Sequence, residues 1–348
     1  MNTPPKGIPV LHGREEVKLH DDDERLHAAP DPLPGNWQEN MFFICWDSST
    51  LTGLVLHVQR APGADVQAAQ VAVAIDGQFA SATFTAPYRA GLLVPELYAT
   101  PVEPWRRWAL ELDGKASSGS GPLGLLATTP GGDTAVGADV TLESSLPVLD
   151  FAAGLAAVVE GMRADRSGPQ MGNQQHYEQG GTWQGRLRLG DRERQTAGLF
   201  VRDHSWGIRH EHSNFQAFWT ASCLDGGRLH CNAIGIPRGD RVIGVGMVAD
   251  ESGVRTTTHV AADFQPAPGI GTYDRTTVRY GDPLGLTLQA ETQCHVPIPL
   301  PLSGPNRYDN NALSRVRIGN LEGFGVMEWA AMLGEDEARL LEPQGEHR

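Results

Sequence analysis

Residues 201–210 (VRDHSWGIRH) bring several groups capable of acid–base chemistry together on what reads as one strand. They supply a carboxyl group, two imidazoles, an indole and two guanidiniums: Asp203, His204 and His210, Trp206, Arg202 and Arg209. A β-strand sends successive side chains to opposite faces, so Asp203 would lie on one face and His204 and Trp206 on the other. Burial raises the pKa of a carboxyl group and lets it donate a proton near neutrality. The stretch therefore predicts either a general acid at Asp203 or a structural corner in which Asp203 and His204 cap backbone groups.

Two further polar patches could contribute to the same cavity. The first is His176-Tyr177-Glu178-Gln179, which either supplies a general base and hydrogen-bond donors or anchors the start of a strand. The second contains Glu328, which follows glycines that allow close backbone approach and which could equally be paired with an arginine at the end of the sheet. Trp219 and other tryptophans of the second half could line an apolar pocket.

Other catalytic motifs have weaker support. His204, His210 and His212 could form a metal site only if the extended chain brought them together across Gly207. The GxGxxG match at residues 119–124 contains a proline and precedes no helical pattern, which argues against a dinucleotide site. The chain contains no GxSxG nucleophile elbow and no CxxC spacing.

Composition excludes several classes of function. The formal net charge is −14 at pH 7 and no lysine or arginine cluster is present, so nucleic acid is not an expected partner. Charged residues interrupt the longest apolar stretch, residues 146–162, and the amino terminus lacks the pattern of a signal peptide. We expect a cytoplasmic protein with no integral membrane contact and four unpaired cysteines.

The elements that must position these residues are short strands. Glycine (41) and proline (24) are frequent, and alternating apolar segments recur between turn signals. Residues 146–162 show helical spacing and predict a short linking helix. We expect an all-β chain of two antiparallel barrels or sandwiches side by side. The predicted divisions are a polar segment 1–30, a first domain 31–160, a second domain 161–334 that carries the site, and a polar tail 335–348.

The second half resembles the family of paired lipocalin-like β-barrel proteins that contains carotenoid 1,2-hydratases and related cyclases and pericyclases. The resemblance rests on the patch at residues 176–179, the strand around Gly185, the motif RDHSWGIR at residues 202–209, and Gly323-Phe324-Gly325 with Glu328. The hydratases have a pattern similar to Asp-His-Asn-Trp-Gly, whose aspartate is thought to protonate an alkene. This likeness implies that Asp203 is the acid, while Ser205 replaces the asparagine and implies a different substrate.

The leading hypothesis is a cofactor-independent acid–base enzyme, a hydratase or dehydratase, an isomerase or a cyclase, acting on a terpenoid, steroid-like or aromatic molecule. The expected catalytic residues are Asp203, His204, Tyr177 and Glu178. The expected substrate-binding residues are Trp206, Arg202, Arg209, His176, Trp219 and Glu328, with an arginine anchoring an anionic group. The alternatives are a carrier of lipophilic molecules and a metal-dependent enzyme that uses the His204, His210 and His212 region. The oligomeric state stays open, with a homodimer as one alternative.

Overall fold

The chain folds almost entirely into antiparallel strands. The computed structural model describes residues 19–119, 132–151, 174–208, 217–238, 241–268, 272–299 and 307–332. Within these residues, helical structure is confined to short 3-10 turns such as Asp21–Glu24 and to a single helical residue, Phe151. The strands of the first sheet are β1 Trp37–Asp47, β2 Thr52–Ala61, β3 Val66–Ile75, β4 Gln78–Ala86, β5 Leu97–Glu103, β6 Arg107–Gly119, β7 Thr134–Glu143, β8 Leu149–Asp150, β9 Gln174–Leu189 and β10 Arg192–Ile208. The strands of the second sheet are β11 Ala217–Leu224, β12 Leu229–Arg238, β13 Arg241–Asp250, β14 Gly253–Thr257, β15 Val260–Pro266, β16 Tyr273–Tyr280, β17 Leu286–Pro299, β18 Arg307–Ile318 and β19 Leu321–Met332.

The first sheet closes into a barrel. Its strands follow the order β10-β1-β2-β3-β4-β6-β7-β9, and β9 pairs again with β10. The short strands β5 and β8 pair with β6 and β9 outside this ring. A closed ring of this size has an interior that side chains can fill. Apolar residues such as Phe43, Leu110 and Trp183 fill most of it.

The second sheet is an open half-barrel with the order β14-β13-β12-β11-β19-β18-β17-β16-β15. It curls around its own apolar cluster, which includes Phe218, Val248, Tyr280 and Met327. Its other face packs against the outside of the first barrel. Trp219, one residue after Phe218, points to that face because side chains alternate along β11.

The layer between the two sheets explains why several strands are apolar on both faces. In β1, Phe43 and Cys45 point into the barrel, while Ile44 and Trp46 pack in the layer between the sheets. Alternation along such a strand separates two buried environments rather than core from solvent. The same rule applies to β9 and β10, which carry the candidate site.

This architecture confirms the predicted all-β class of two lipocalin-like units side by side. The division between the sheets falls between Ile208 and Ala217, later in the chain than the predicted domain boundary at residue 160. β9 and β10 belong to the first barrel because β10 pairs with β1 along nearly the whole length of β1. Of the predicted linking helix at residues 146–162, residues 152–162 lie outside the described residues, and Leu149–Asp150 form the strand β8 instead. The glycine-rich loop from residue 120 and the tail from residue 333 also lie outside the described residues. None of the helices in the described residues is long and apolar enough to cross a membrane.

Candidate functional site

The strand pair β9–β10 divides the predicted site residues between two buried faces. Asp203 pairs in register with Glu178, and His204 pairs with Tyr177. Asp203 and Glu178 therefore lie on the outer face of the barrel wall, toward the second sheet. Tyr177 and His204 lie on the inner face, toward the barrel interior. The alternation predicted for residues 202–206 is the one in the structure.

Glu178 is the most completely enclosed acid of the outer face. Its side chain has no exposed surface, and both carboxyl oxygens accept hydrogen bonds from the second sheet. The Trp219 indole Nε1–H donates to Oε1 at 2.6 Å, and the Asn232 amide donates to Oε2. β11 and β12 thus position two neutral donors on one carboxyl group.

Burial raises the pKa of Glu178 to about 8, and the hydrogen bonds from Trp219 and Asn232 offset that effect only in part. Glu178 is therefore protonated at neutral pH and can donate a proton to an acceptor that reaches it.

His176 connects Glu178 to Asp203. Its Nε2 lies 3.2 Å from Glu178 Oε1 and 4.0 Å from Asp203 Oδ2. The side chains of His176 and Asp203 retain 13% and 16% of their surface exposed, whereas Glu178 retains none. Phe151 stacks on the His176 ring at 5.1 Å and fixes its orientation. These three groups form a path for protons from a buried acid to partly exposed side chains.

His230 approaches Glu178 from β12. Its Nδ1–H donates to the Ser222 carbonyl at 3.1 Å, which leaves Nε2 as an acceptor 4.0 Å from Glu178 Oε2. Burial lowers the pKa of His230 to about 4, so the ring is neutral near pH 7. Gly180 allows this approach, because a Cβ atom there would stand 2.7 Å from His230 Nδ1.

Several acceptors around Glu178 have no hydrogen-bond partner among the described residues. They are His230 Nε2, Asn232 Oδ1 and Asn311 Oδ1. Buried polar atoms are nearly always paired with protein, water or a ligand. Asn311 pairs in register with Glu328, which in turn pairs with Trp219, so the three belong to one row of the face. Unpaired acceptors at this place suit a bound molecule with hydroxyl donors or ordered water.

The inner face of the same strand pair carries a network of charged groups. Arg202 donates to Glu24 Oε1 at 2.7 Å, and the Tyr177 hydroxyl donates to the same oxygen at 2.6 Å. Burial acts to raise the pKa of Glu24, but Arg202 and Tyr177 hold it below its usual value. His204 Nε2 lies 3.0 Å from Glu39 Oε1, and Glu39 forms an ion pair with Arg60.

Burial lowers the pKa of His204 despite Glu39, and it raises the pKa of Tyr177. Burial also acts to raise the pKa of Glu39, but its contacts with His204 and His27 and the charge of Arg60 hold it below its usual range. These ionised carboxylates and their cationic partners neutralise one another inside the barrel.

This division changes the roles of several predicted residues. Direct proton exchange from Asp203 to His204 or Tyr177 has no geometric support, because they lie on opposite faces of the wall. Arg202 is fully paired with Glu24 inside the barrel and is not positioned to bind an anionic substrate. Trp206 stacks on His27 at 4.0 Å on the inner face, away from Glu178. Arg209, His210 and His212 lie outside the described residues.

Several partners of these residues come from other parts of the chain and carry no local sequence signal that joins them to the motif. Glu24 and Glu39 come from the first 40 residues, and Asn232 and His230 come from β12. Glu39 stands directly before the apolar part of β1, which is a signal of a buried charge. His230 and Asn232 alternate with Cys231 and Ala233, a pattern typical of a strand with one polar face.

A separate cleft of about 340 Å³ opens where the first barrel meets the turn between β11 and β12. Its lining combines three arginines with two glutamates and small polar residues: Arg106, Arg107, Arg228, Glu103, Glu143, Ser144, Ser145 and Thr182, with Gly226 and Gly227. None of the predicted site residues lines it. The arginines of this cleft pair with local carboxylates and remain exposed to solvent. The cleft is therefore a weaker candidate for a catalytic site than the face around Glu178.

Comparison with known proteins places the fold among lipocalin-like two-barrel proteins. An AttH-like protein from Nitrosomonas europaea has a TM-score of 0.64 at 15% identity, covering 94% of this chain and 100% of that chain. Kievitone hydratase from Nectria haematococca has a TM-score of 0.54 at 8% identity, covering 90% and 92%. CghA with Sch210972 has a TM-score of 0.52 at 12% identity, covering 90% and 96%.

These identities are low, so the likeness establishes the fold alone. No curated protein matches the sequence. A family model described as a domain of unknown function, DUF7064, matches residues 20–332.

Proposed function

The chain belongs to the DUF7064 family, and from its paired-barrel fold and the chemistry of its outer face we propose that it is a cofactor-independent enzyme with Glu178 as general acid. The substrate is a hydrophobic small molecule bound between the two sheets. The observation that carries the proposal is the fully buried carboxyl group of Glu178, whose pKa burial raises to about 8. The hydratase among the structural neighbours supports the same class of reaction.

The role of acid moves from Asp203 to Glu178 for a physical reason. The sequence predicts the acid at Asp203 because burial keeps a carboxyl group protonated. Burial of that degree occurs at Glu178, whereas Asp203 is partly exposed. Asp203 and His176 then serve as the acceptors that take a proton from water or substrate and exchange it with solvent.

The reaction follows from these positions. Glu178 transfers its proton to one carbon of an alkene or enone. Water attacks the resulting cation, His176 accepts a proton from that water, and Asp203 stabilises the charged ring. Loss of a carbon-bound proton to His176 instead of attack by water gives isomerisation. Attack by a second alkene of the substrate closes a ring and leaves a new cation, which becomes neutral by losing a proton to His176 or by adding water.

The surroundings of Glu178 indicate the substrate class. Phe42 and Trp219, with ring centroids 5.9 Å apart, supply aromatic surface. Asn232 and Asn311 each present an oxygen that has no hydrogen-bond donor among the described residues. A lipophilic molecule that carries a hydroxyl group, such as a hydroxylated terpenoid, a prenylated phenol or a sterol, fits both features.

Deuterium incorporation tests the proposal for hydration, isomerisation and cyclisation, because each of them places a solvent proton on carbon. The full chain is incubated in D2O with a panel of hydroxylated terpenoids, prenylated phenols and steroid enones, and carbon-bound deuterium is measured by mass spectrometry. We expect one class to gain deuterium, and Glu178→Gln to lower the rate by roughly 10²- to 10⁴-fold. Glu193→Gln, an exposed change on the same strand pair, is the control and should keep the rate.

The rival function is that of a carrier, which would bind a lipophile and release it unlabelled. Labelling that stays within a few-fold of wild type in folded Glu178→Gln would remove this residue from the acid role. His176→Gln distinguishes a relay from a packing role, because loss of the relay should shift the pH–rate profile as well as the rate.

A further inference from the structure

His27, Glu39 and His204 converge at one end of the barrel interior, although they come from the amino-terminal segment, β1 and β10. His27 Nδ1 lies 2.8 Å from Glu39 Oε1, and His204 Nε2 lies 3.0 Å from the same oxygen. The potential ligand atoms of the three residues all lie within 4.8 Å of one another. Two imidazoles and one carboxylate form a ligand set that binds zinc and iron(II) in proteins.

The hydrogen bonds of Tyr177 fix the state of the His204 ring. The Tyr177 hydroxyl gives its single hydrogen to Glu24 at 2.6 Å. The contact of 3.1 Å between this hydroxyl and His204 Nδ1 therefore requires a proton on Nδ1. With that proton on Nδ1, Nε2 is the atom that faces Glu39 Oε1 at 3.0 Å, where a second proton or a metal ion can satisfy both atoms.

His27 repeats this arrangement. Its Nε2 faces Asp23 Oδ1 at 3.4 Å, which places a proton on Nε2 and leaves the Nδ1 lone pair directed at Glu39 Oε1. The same oxygen already accepts the backbone N–H of His27 at 2.8 Å. Protons on both histidines would give three donors to an oxygen with two lone pairs. A single metal ion satisfies both nitrogens and the oxygen together.

We propose that His27 Nδ1, Glu39 Oε1 and His204 Nε2 bind one divalent transition-metal ion of the zinc class. Ligand distances of about 2.0 to 2.2 Å at tetrahedral angles place ligand atoms roughly 3.4 Å apart. The two nitrogens need to withdraw from the oxygen by only about half an ångström. Arg60 binds the other carboxylate oxygen and leaves Oε1 for the metal.

The surroundings have the features of a metal site. Asp23 and the Tyr177 hydroxyl accept from the second nitrogen of each histidine, the arrangement that orients metal-binding imidazoles. Trp206 stacks on His27 at 4.0 Å and holds its ring. The side chain of His27 is 20% exposed, so the ion can enter from solvent and keep a water ligand.

This ion would tie the amino-terminal segment to the barrel wall. It lies on the inner face of β10, while Glu178 lies on the outer face of β9. The metal site therefore does not depend on the proposed function, and its test can fail while that function stands.

Metal titration of the full chain tests the proposal. The protein is stripped with a chelator, and binding of Zn²⁺ is measured by calorimetry. Binding of Co²⁺ is measured by visible absorption, which reports the ligand geometry. We expect one ion per chain and a higher unfolding temperature with metal. His27→Gln and His204→Gln should each lose at least tenfold in affinity, whereas His259→Gln, in an exposed loop, should bind as wild type does.

Two results would overturn the assignment. One is a dissociation constant for Zn²⁺ weaker than about 0.1 mM in folded wild-type protein. The other is unchanged binding in His27→Gln, which would place the ion elsewhere in the chain. Because His27 is partly exposed, its variant should fold even where His204→Gln does not.

Discussion

The buried acid at Glu178 has a measurable effect on stability. A carboxyl group whose pKa is about 8 when folded and 4.5 when unfolded binds its proton more tightly in the folded state. Its contribution is fully present below pH 4.5 and is lost as the pH rises toward 8, because only the unfolded chain gains the free energy of ionisation. At 1.36 kcal/mol for each pH unit, this loss amounts to about 3 kcal/mol between pH 5 and pH 7.5.

The assay is denaturant unfolding of wild type and Glu178→Gln, followed by circular dichroism between pH 5 and pH 7.5. The amide cannot ionise, so the stability of the variant relative to wild type should rise by about 3 kcal/mol across this range. A constant offset is expected as well, because the amide has one oxygen where Trp219 and Asn232 donate to two. The test is therefore the pH dependence of the stability difference between Glu178→Gln and wild type. The constant offset does not affect it.

Glu193→Gln on the exposed side of β10 serves as the control and should follow wild type at every pH. Infrared spectra supply a second measurement, because the band of a protonated carboxyl group should disappear with a midpoint near pH 8 in wild type and be absent from Glu178→Gln. Parallel stability curves for wild type and Glu178→Gln would refute the account of Glu178 as a neutral buried acid.

Two other substitutions test the two faces of the wall. Trp219→Phe removes a donor that stabilises the Glu178 carboxylate, so the infrared midpoint should rise by roughly one to two pH units; an unchanged midpoint would contradict the hydrogen bond. Arg202→Met leaves Glu24 charged and unpaired, so denaturant unfolding should show a loss of about 3 to 5 kcal/mol, and adding Glu24→Gln should recover most of it; purely additive losses would argue against the pair.

The sequence predicts the all-β class and the alternation on β10 because both depend on local patterns. It cannot tell which face of β10 is inside the barrel, since apolar residues flank the motif on both faces. Val201 packs between the sheets, whereas Phe200 packs in the barrel core. The inner and outer faces of β10 are distinguished by its pairing with β1, in which Trp37 lies opposite Ile208.

The partners of the motif are distant in sequence, which explains why they were missed. Arg202 binds a carboxylate 178 positions away, and His204 approaches one 165 positions away. A single sequence shows a buried arginine and a carboxylate near its amino terminus as two unrelated charges. The sequence predicts that an arginine binds an anionic group of the substrate. In the structure, Arg202 binds the carboxylate of Glu24 from the same chain instead.

The strand pair β9–β10 carries residues of both faces of the barrel wall. The charged network inside the barrel therefore affects the position of residues on the outer face. Tyr177 and Glu178 are neighbours in β9, as are Asp203 and His204 in β10, so anything that fixes one side chain of each pair also fixes the backbone of the other. The ion pair of Arg202 with Glu24 and the contact of His204 with Glu39 hold these strands by long-range bonds inside the barrel. A general acid depends on a carboxyl group whose position varies little. The charges inside the barrel therefore contribute to the outer face by keeping Glu178 rigid, without touching the substrate.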